Sequence, residues 1–328
     1  MELISIGFPL SDSKLASKDE QLSIAIGHFD GVHKGHQNVI KRAVDAARQQ
    51  GLKSAVMTFH PHPKAVLGQG EQYFSCLTPL ESKLAQFEAL GVDYVFVMKF
   101  DHSFASISPE RFVSEVLVPL GVRHTVVGFD FRYGSRGAGD AQMLGTLGSE
   151  QGLTTEVVEP LLLQGQKISS TYVREALDQG NMALVEDLLG RSYEVEGVVV
   201  HGHARGRLIG FPTANVGLTQ PYITPRLGVY AAQVVIGGQV YPAVLNHGMK
   251  PTFKDGEKAP VLEAHLIGFS GDLYDQSIRI RFISFIRPEH KFASVDELIA
   301  QIGRDRDEAA AQLEELQSKE ASPVSRNL

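Results

Sequence analysis

The stretch Ile24-Ala25-Ile26-Gly27-His28-Phe29-Asp30-Gly31-Val32-His33-Lys34-Gly35-His36 constrains this chain more than any other. A short apolar segment passes through a turn with glycines at 27, 31 and 35 and enters a helix. Ile40, Ala43, Val44 and Ala47 follow the i, i+3, i+4, i+7 rule and give that helix one apolar face. His33 and His36 therefore fall at or just before a helix N-terminus, on roughly one face. Free backbone N–H groups and the positive end of the helix dipole suit that position to anions, phosphate above all. Gly35 lets a phosphate approach the backbone where a Cβ would obstruct it. A phosphate-handling site at the end of the first strand of an α/β sheet follows.

From this strand to about residue 190 the pattern alternates. Strands are expected at Leu22–Ile26, Ser54–Phe59, Tyr94–Met98, Thr125–Gly128 and Thr155–Val158, with helices near 36–50, 79–90, 109–118 and 140–150. Ser108 before Pro109 is a good N-cap and first-turn pair. Alternation of this length predicts βαβ units and a parallel sheet, whose ligands bind beyond the carboxyl ends of the strands. Two short helices, Ser170–Leu177 and Met182–Leu189, close the segment.

After Gly190 the pattern changes to short strands rich in β-branched and aromatic residues: Tyr193–Val200, Val229–Ile236, Gln239–Leu245, Val261–Ile267 and Ile278–Ile286. Gly237-Gly238 reads as a two-residue hairpin turn. These predict a small antiparallel barrel or sandwich. A final helix opens with the capping-box pattern Ser294-Val295-Asp296-Glu297. The expected division is residues 1–186 (α/β), 187–318 (all-β with a terminal helix) and a frayed polar tail at 319–328.

Composition narrows the class. The 328 residues carry a formal net charge of −7, which argues against a nucleic-acid coat protein but leaves room for a small anionic substrate in a local basic pocket. Cys76 is the single cysteine, so no intrachain disulfide can form. The Met1-Glu2-Leu3-Ile4-Ser5 start lacks a signal-like pattern, and no apolar run approaches the ~20 residues needed to span a bilayer. A soluble cytoplasmic protein with no membrane or nucleic-acid partner is expected.

Several residues could carry chemistry, each against a bland reading. His33 and His36 could be ordinary surface histidines. A metal site is weak, because no Glu or Cys stands at useful spacing. Lys167-Ile168-Ser169-Ser170-Thr171-Tyr172-Val173-Arg174 could be a plain capped helix, or hydroxyls, N–H groups and a guanidinium for phosphate. His60 and His62, set between prolines, could be structural. The run Gly128-Phe129-Asp130-Phe131-Arg132-Tyr133-Gly134 could line a planar ring by stacking or form a packed turn. In the second part, His201 to Arg207 and Gly210-Phe211-Pro212-Thr213-Ala214-Asn215 offer phosphate donors (Gly206, Arg207, Gly210) and neutral oxygens (Thr213, Asn215) acceptable to Mg²⁺. Glu263 is a carboxylate in a strand-like run, and most such residues face solvent.

The first histidine pair resembles the His-x-Gly-His signature of nucleotidylyltransferases, and the Ser170 to Arg174 element resembles the Ile-Ser-Ser-Thr-x-x-Arg element of the same superfamily. The chemistry there calls for positive, hydrogen-bonding groups at the α-phosphate while pyrophosphate leaves. Taken with Thr58 to Pro63, Gly210 to Asn215, Gly228-Val229-Tyr230, Asn246-His247-Gly248, Pro251-Thr252-Phe253 and Glu263, nearly the whole chain resembles the bacterial bifunctional riboflavin kinase/FAD synthetase family.

The resemblance implies a Rossmann-like nucleotidylyltransferase domain and a riboflavin kinase β-barrel. The barrel would phosphorylate riboflavin with ATP to FMN, with Glu263 as general base and Thr213 and Asn215 on Mg²⁺. The first domain would adenylylate FMN with ATP, giving FAD and pyrophosphate. There His33, His36, Ser170, Thr171 and Arg174 would hold the phosphates, with Gly27, Phe29, Asp30, Gly31, Gly35, Asp130 and Gly134 around the nucleotide. A monomer or weak homo-oligomer is expected. The chain departs from the family pattern at His203, His247, Gly268 and Asp275, none of which has a chemical role. The opposing readings are a protein with one degenerate module, an adenylyltransferase for another phosphorylated acceptor (which leaves the barrel unexplained), and a flavin-binding regulator whose barrel binds nucleic acid. The acidic charge and the lack of an aromatic–basic stripe oppose the last.

Overall fold

A computed structural model describes residues 1–10, 20–68, 75–202, 206, 209–251 and 258–321. The chain divides into two compact units, Met1–Tyr172 and Val173–Leu328.

The first unit is built on a six-stranded, wholly parallel sheet. Its strands are β1 (Glu2–Ile6), β2 (Leu22–Ile26), β3 (Lys53–His60), β4 (Tyr94–Lys99), β5 (Val122–Gly128) and β6 (Thr154–Val158), in spatial order β1-β4-β3-β2-β5-β6. β2 is buried throughout, as a central strand covered on both faces must be. Helix α1 (Lys34–Gln50) buries Val39, Ile40, Ala43, Val44, Ala46 and Ala47, the stripe expected from its periodicity. Helix α2 (Leu80–Ala89) packs Phe87 on the same side. The opposite face is filled by Phe104, Phe112, Leu117 and Leu144, the last from α3 (Ala141–Glu150). The chain runs outward from β2 through β3 to β4 and returns to place β5 on the other side of β2. The strand order therefore reverses beside the β2 carboxyl end, where open α/β sheets hold their ligands.

Two features differ from the expected pattern. β1 was not expected; only Ile4 and Ile6 of its five residues are buried, so the apolar signal is short. The helix expected over 109–118 is one α turn at Pro109–Phe112 followed by a π-helical stretch at Val113–Leu117, where the Val118 N–H donates to the Val113 carbonyl at 3.0 Å.

The second unit holds a closed antiparallel barrel of β7 (Tyr193–Val200), β8 (Ala214–Leu218), β9 (Gly228–Ile236), β10 (Gln239–Pro251), β11 (Lys258–Leu266) and β12 (Ser277–Arg287), in order β7-β8-β11-β10-β9-β12. Closure removes both sheet edges. β8 was absent from the expected strands; it starts directly after the Gly-Phe-Pro-Thr segment, which reads as a turn. Gly237 and Gly238 take φ of 55° and 86°, as a two-residue hairpin requires, and Ile236 pairs with Gln239 across them. Helix α4 (Ser170–Gln179) straddles the boundary between the units, and α5 (Met182–Leu189) follows it.

The final helix, α6 (Val295–Ala321), starts at the Ser294 hydroxyl, which accepts the Glu297 N–H at 3.2 Å. Its Ala309 and Leu313 pack on the barrel with Val229, Ala231 and Val244. Asp305, 2% exposed, accepts a bidentate pair of bonds from Arg287 of β12. The helix reaches into the expected tail as far as residue 321, and residues 322–328 lie outside the described residues.

Candidate functional site

The turn leaving β2 is held in an uncommon shape. Phe29 and Val32 have φ of 55° and 42°, and Gly31 has φ of 87°. Non-glycine residues enter this left-handed region only when their surroundings hold them there. Several contacts do so. The Phe29 ring packs edge-to-face on Phe87 and on His36, and a Cβ on Gly27 would come within 2.9 Å of it. The buried Asp30 carboxylate accepts the Leu77 and Thr78 N–H groups at 2.9 and 3.2 Å. Thr58 Oγ1 and Lys83 Nζ both donate to the His28 carbonyl, at 3.0 and 2.7 Å.

This turn delivers the histidine pair. His33 is the N-cap of α1, and its Nδ1 accepts the His36 N–H at 3.3 Å. With Nδ1 accepting, a neutral His33 carries its proton on Nε2 and presents an N–H donor. The two rings stack at 3.6 Å with 18° between planes. A Cβ on Gly35 would lie 3.2 Å from the His33 ring, so this glycine gives the ring its seat. Burial holds the His36 pKa well below the usual 6.5, and the charges of His33, Lys83 and Lys167 add to that. Burial therefore opposes a charge on His36, whose Nδ1 has no hydrogen-bond partner within the described residues.

The distant Ser-Ser-Thr element arrives at the same turn. Ser169, not Ser170, caps α4, accepting the Tyr172 N–H at 3.2 Å. That frees the Ser170 hydroxyl to donate to the Asp30 carbonyl at 2.8 Å. The Ile168 carbonyl stands 3.6 Å from where a Gly35 Cβ would be. Lys167 pairs with the Asp130 carboxylate and lies 4.4 Å above the exposed Phe129 ring. Thr171 is exposed, and Arg174 stands one turn after Ser170 on α4.

The other rim segments resolve differently. His62 caps a short helical turn, Pro63–Val66, by accepting the Lys64 N–H at 3.0 Å, and its ring meets His28 at 4.0 Å. Phe131 and Tyr133 stack on each other, and Tyr133 is buried against Phe112, so of the three aromatics only Phe129 remains exposed. Gly134 has φ of 72°, and a Cβ there would lie 2.9 Å from Pro109, so the glycine lets the backbone pass close to that ring.

In the barrel, Glu263 of β11 stands in register with Asn215 of β8 on one side and Asn246 of β10 on the other. Three polar residues of adjacent strands thus form one row, which explains a carboxylate in an otherwise apolar strand. A Cβ on Gly202 would fall 2.1 Å from Asn215 Nδ2, and one on Gly206 2.2 Å from the Phe211 carbonyl oxygen and 3.4 Å from Thr213 Oγ1. Gly202 and Gly206 thus lie close against Asn215, Phe211 and Thr213. Beside Thr213 opens a cavity of about 410 Å³, lined also by Val199, Ala264, Phe269 and Tyr274. Tyr274 stacks on His201 at 3.9 Å. Gly210 has φ of 84°. Arg207 and His203 lie outside the described residues.

The remaining departures from the family pattern are accommodated. His247 is 1% exposed, and burial pushes its pKa down, so a neutral ring replaces an apolar side chain. Asp275 and Gly268 take φ of 62° and 74°; Asp is among the residues that tolerate the left-handed region.

Among the described residues no group of three or more His, Cys, Asp or Glu could hold a metal ion. Thr213 and Asn215 fit a Mg²⁺ that keeps water and phosphate oxygens as its other ligands, the usual way that ion is held. Sequence reasoning passed over Lys83, which reaches this turn from α2 through the His28 carbonyl. The signal was a lysine inside the stripe Leu80, Lys83, Leu84, Phe87.

Residues 15–172 match the FAD synthetase family, and residues 189–313 match the riboflavin kinase family. A bifunctional riboflavin kinase/FMN adenylyltransferase of Bacillus subtilis (strain 168) is 46% identical over 296 residues, 89% of this chain and 93% of that one. One of the same description from Escherichia coli (strain K12) is 40% identical over 284 residues, 86% of this chain and 90% of that one. A solved structure described as a macrolide-efflux protein from Streptococcus pneumoniae is 32% identical, with a TM-score of 0.85 over 93% of this chain and 98% of that chain. No described helix here is long and apolar enough to cross a membrane.

Proposed function

The chain belongs to the family of bifunctional riboflavin kinases/FMN adenylyltransferases, and from that premise we propose which of its residues carry each half-reaction. The enzyme phosphorylates riboflavin with ATP to FMN, then adenylylates FMN with ATP to FAD and pyrophosphate. The domain boundary for these activities is placed at residues 186/187.

The adenylyl-transfer site is the turn between β2 and α1. His33, as an Nε2–H donor, and His36, as a neutral donor, bind the ATP phosphates with the α1 N-terminus. Gly31 and Gly35 keep the backbone open to those oxygens. Thr171 and Arg174 supply a hydroxyl and a guanidinium from α4. Ser170 holds the two halves together through Asp30. Asp130, steered by Lys167, faces the nucleotide, while Gly27 and Phe29 shape the turn. The FMN phosphate is the nucleophile, and no covalent enzyme intermediate is needed. Donors fixed before the reaction stabilise the charge that develops as pyrophosphate leaves. The observation that carries this reading is the Ser170–Asp30 bond, which brings the two phosphate elements of the sequence to one turn.

In the barrel, Glu263 accepts the proton of the ribityl hydroxyl as that oxygen attacks the γ-phosphorus of ATP and ADP leaves. Its place between Asn215 and Asn246 supports this role. The cavity beside Thr213 takes ATP, with Gly206 and Gly210 along the phosphates; Arg207, outside the described residues, is assigned to phosphate binding from the sequence alone. Mg²⁺, held by Thr213 and Asn215, would neutralise phosphate charge. We place the enzyme in the cytoplasm, as a monomer or weak homo-oligomer without nucleic-acid or membrane partners.

Incubation with riboflavin, ATP and Mg²⁺, followed by separation of the flavins, tests the proposal. FMN and FAD are expected, and unchanged riboflavin would contradict it.

A further inference from the structure

Lys83 is the only buried lysine among the described residues, 4% exposed. It occupies a core position of α2, in line with Leu80, Leu84 and Phe87, where an apolar side chain would be expected. Withdrawing an ammonium from water is costly unless charged and polar groups compensate it. Its side-chain hydrogen bond and the carboxylate facing it both belong to the turn after β2. Its Nζ donates to the His28 carbonyl at 2.7 Å, and the same oxygen accepts Thr58 Oγ1 at 3.0 Å. The negative group facing it is Asp30, two residues along the turn, with the Cys76 thiol also nearby. Between and after these anchors the backbone is left-handed at Phe29, Gly31 and Val32. An ordinary turn needs no buried charge to stand; this one presents two histidines in a conformation that non-glycine residues avoid.

We propose that Lys83 is a positioning residue for adenylyl transfer: its buried ammonium clamps the His28 carbonyl and so fixes the left-handed turn that presents His33 and His36. The inference rests on the adenylyl-transfer reading of that turn and deepens it. Lys83 touches no reacting atom; it acts through the backbone of residues 28–32. Its charge also acts on His36, while burial lowers the lysine's own pKa. The charged and titratable groups facing His36 are His33, Lys83 and Lys167, and all three oppose its protonation.

Three variants of the full chain separate clamp from charge. Lys83→Met removes both, Lys83→Gln keeps a donor without charge, and Lys83→Arg keeps the charge. Each is assayed for adenylylation of supplied FMN, for phosphorylation of riboflavin as an internal control, and for the titration of the His36 ring by NMR. Lys83→Met is expected to lose about 100-fold in adenylylation kcat, the effect that a misplacement of about 1 Å brings. Riboflavin phosphorylation should be unchanged. Lys83→Met and Lys83→Gln should both raise the pH at which His36 takes up a proton, and Lys83→Arg should leave it unmoved. Wild-type adenylylation in Lys83→Met overturns the proposal, and so does a loss of rate with the His36 titration unchanged, which marks a purely structural lysine. If Lys83→Met fails to fold, Lys83→Gln decides: wild-type kcat and His36 titration in that variant overturn the proposal. Absence of FAD from the wild-type enzyme would instead strike the reading on which it rests.

Discussion

Ser170 donates its hydroxyl to the main-chain carbonyl of Asp30 at 2.8 Å, across 140 residues of sequence. Asp30 in turn fixes the backbone of Leu77 and Thr78 through its side chain. One residue thus joins three segments of chain at the edge of the histidine turn.

Ser170→Ala should therefore reduce adenylylation while riboflavin phosphorylation continues. A part-buried acceptor loses its donor, at a cost of about 1–3 kcal/mol to the first unit. The check is FAD formation from supplied FMN, together with urea unfolding. Wild-type behaviour in both would show that the junction is dispensable.

Gly35→Ala should separate stability from activity. Alanine favours a helix over glycine by about 1 kcal/mol, so stability is expected to hold or rise. The new Cβ would lie 3.2 Å from the His33 ring, which must shift and weaken its bond to the His36 N–H. A higher KM for ATP in adenylylation, with no loss in Tm, is the expected result.

Gly202→Ala should do the equivalent damage in the barrel. Its Cβ would fall 2.1 Å from Asn215 Nδ2, so the amide must leave its seat beside Glu263. FMN formation from riboflavin should fall by at least about tenfold, a loss of about 1.4 kcal/mol in transition-state stabilisation. Supplied FMN should still become FAD. Both rates are read from one chromatographic assay.

Acid should destabilise the folded chain partly through His36. Its folded pKa lies below 6.5 because of burial. Below 6.5 the unfolded chain therefore binds a proton that the folded chain refuses. Stability from this group is complete above 6.5 and declines as pH falls toward the folded value, by up to about 1.4 kcal/mol per pH unit. His124 is lowered by burial too and acts in the same direction. Urea unfolding across pH 5–8 should show a shallower acid slope for His36→Gln than for the wild type. Identical slopes would mean that His36 titrates normally in the folded state.

How much of this was visible in the chain follows from range. β2 and α1 announce themselves because an all-buried strand and a one-faced helix leave local patterns, and the glycines between them mark the turn. The row of Asn215, Glu263 and Asn246 did not, because register across three strands is set by closure of the barrel. The bond from Ser170 to Asp30 was equally hidden, although both residues lay in stretches already marked as phosphate-handling. β8 was masked by Gly210 and Pro212, and edge strand β1 by burying only two side chains. The lowering of the His36 pKa could not be read from the chain, since pKa depends on surroundings that neighbours in sequence do not reveal. Lys83 was legible in part, as a charge where the helix stripe called for an apolar residue.

The most direct measurement is a paired assay of His36→Ala and Glu263→Ala with riboflavin, ATP and Mg²⁺, each variant tested again with supplied FMN. His36→Ala should accumulate FMN and make no FAD. Glu263→Ala should leave riboflavin unconverted yet still turn supplied FMN into FAD. Loss of both half-reactions in either variant, with the protein folded, would contradict the two-site account.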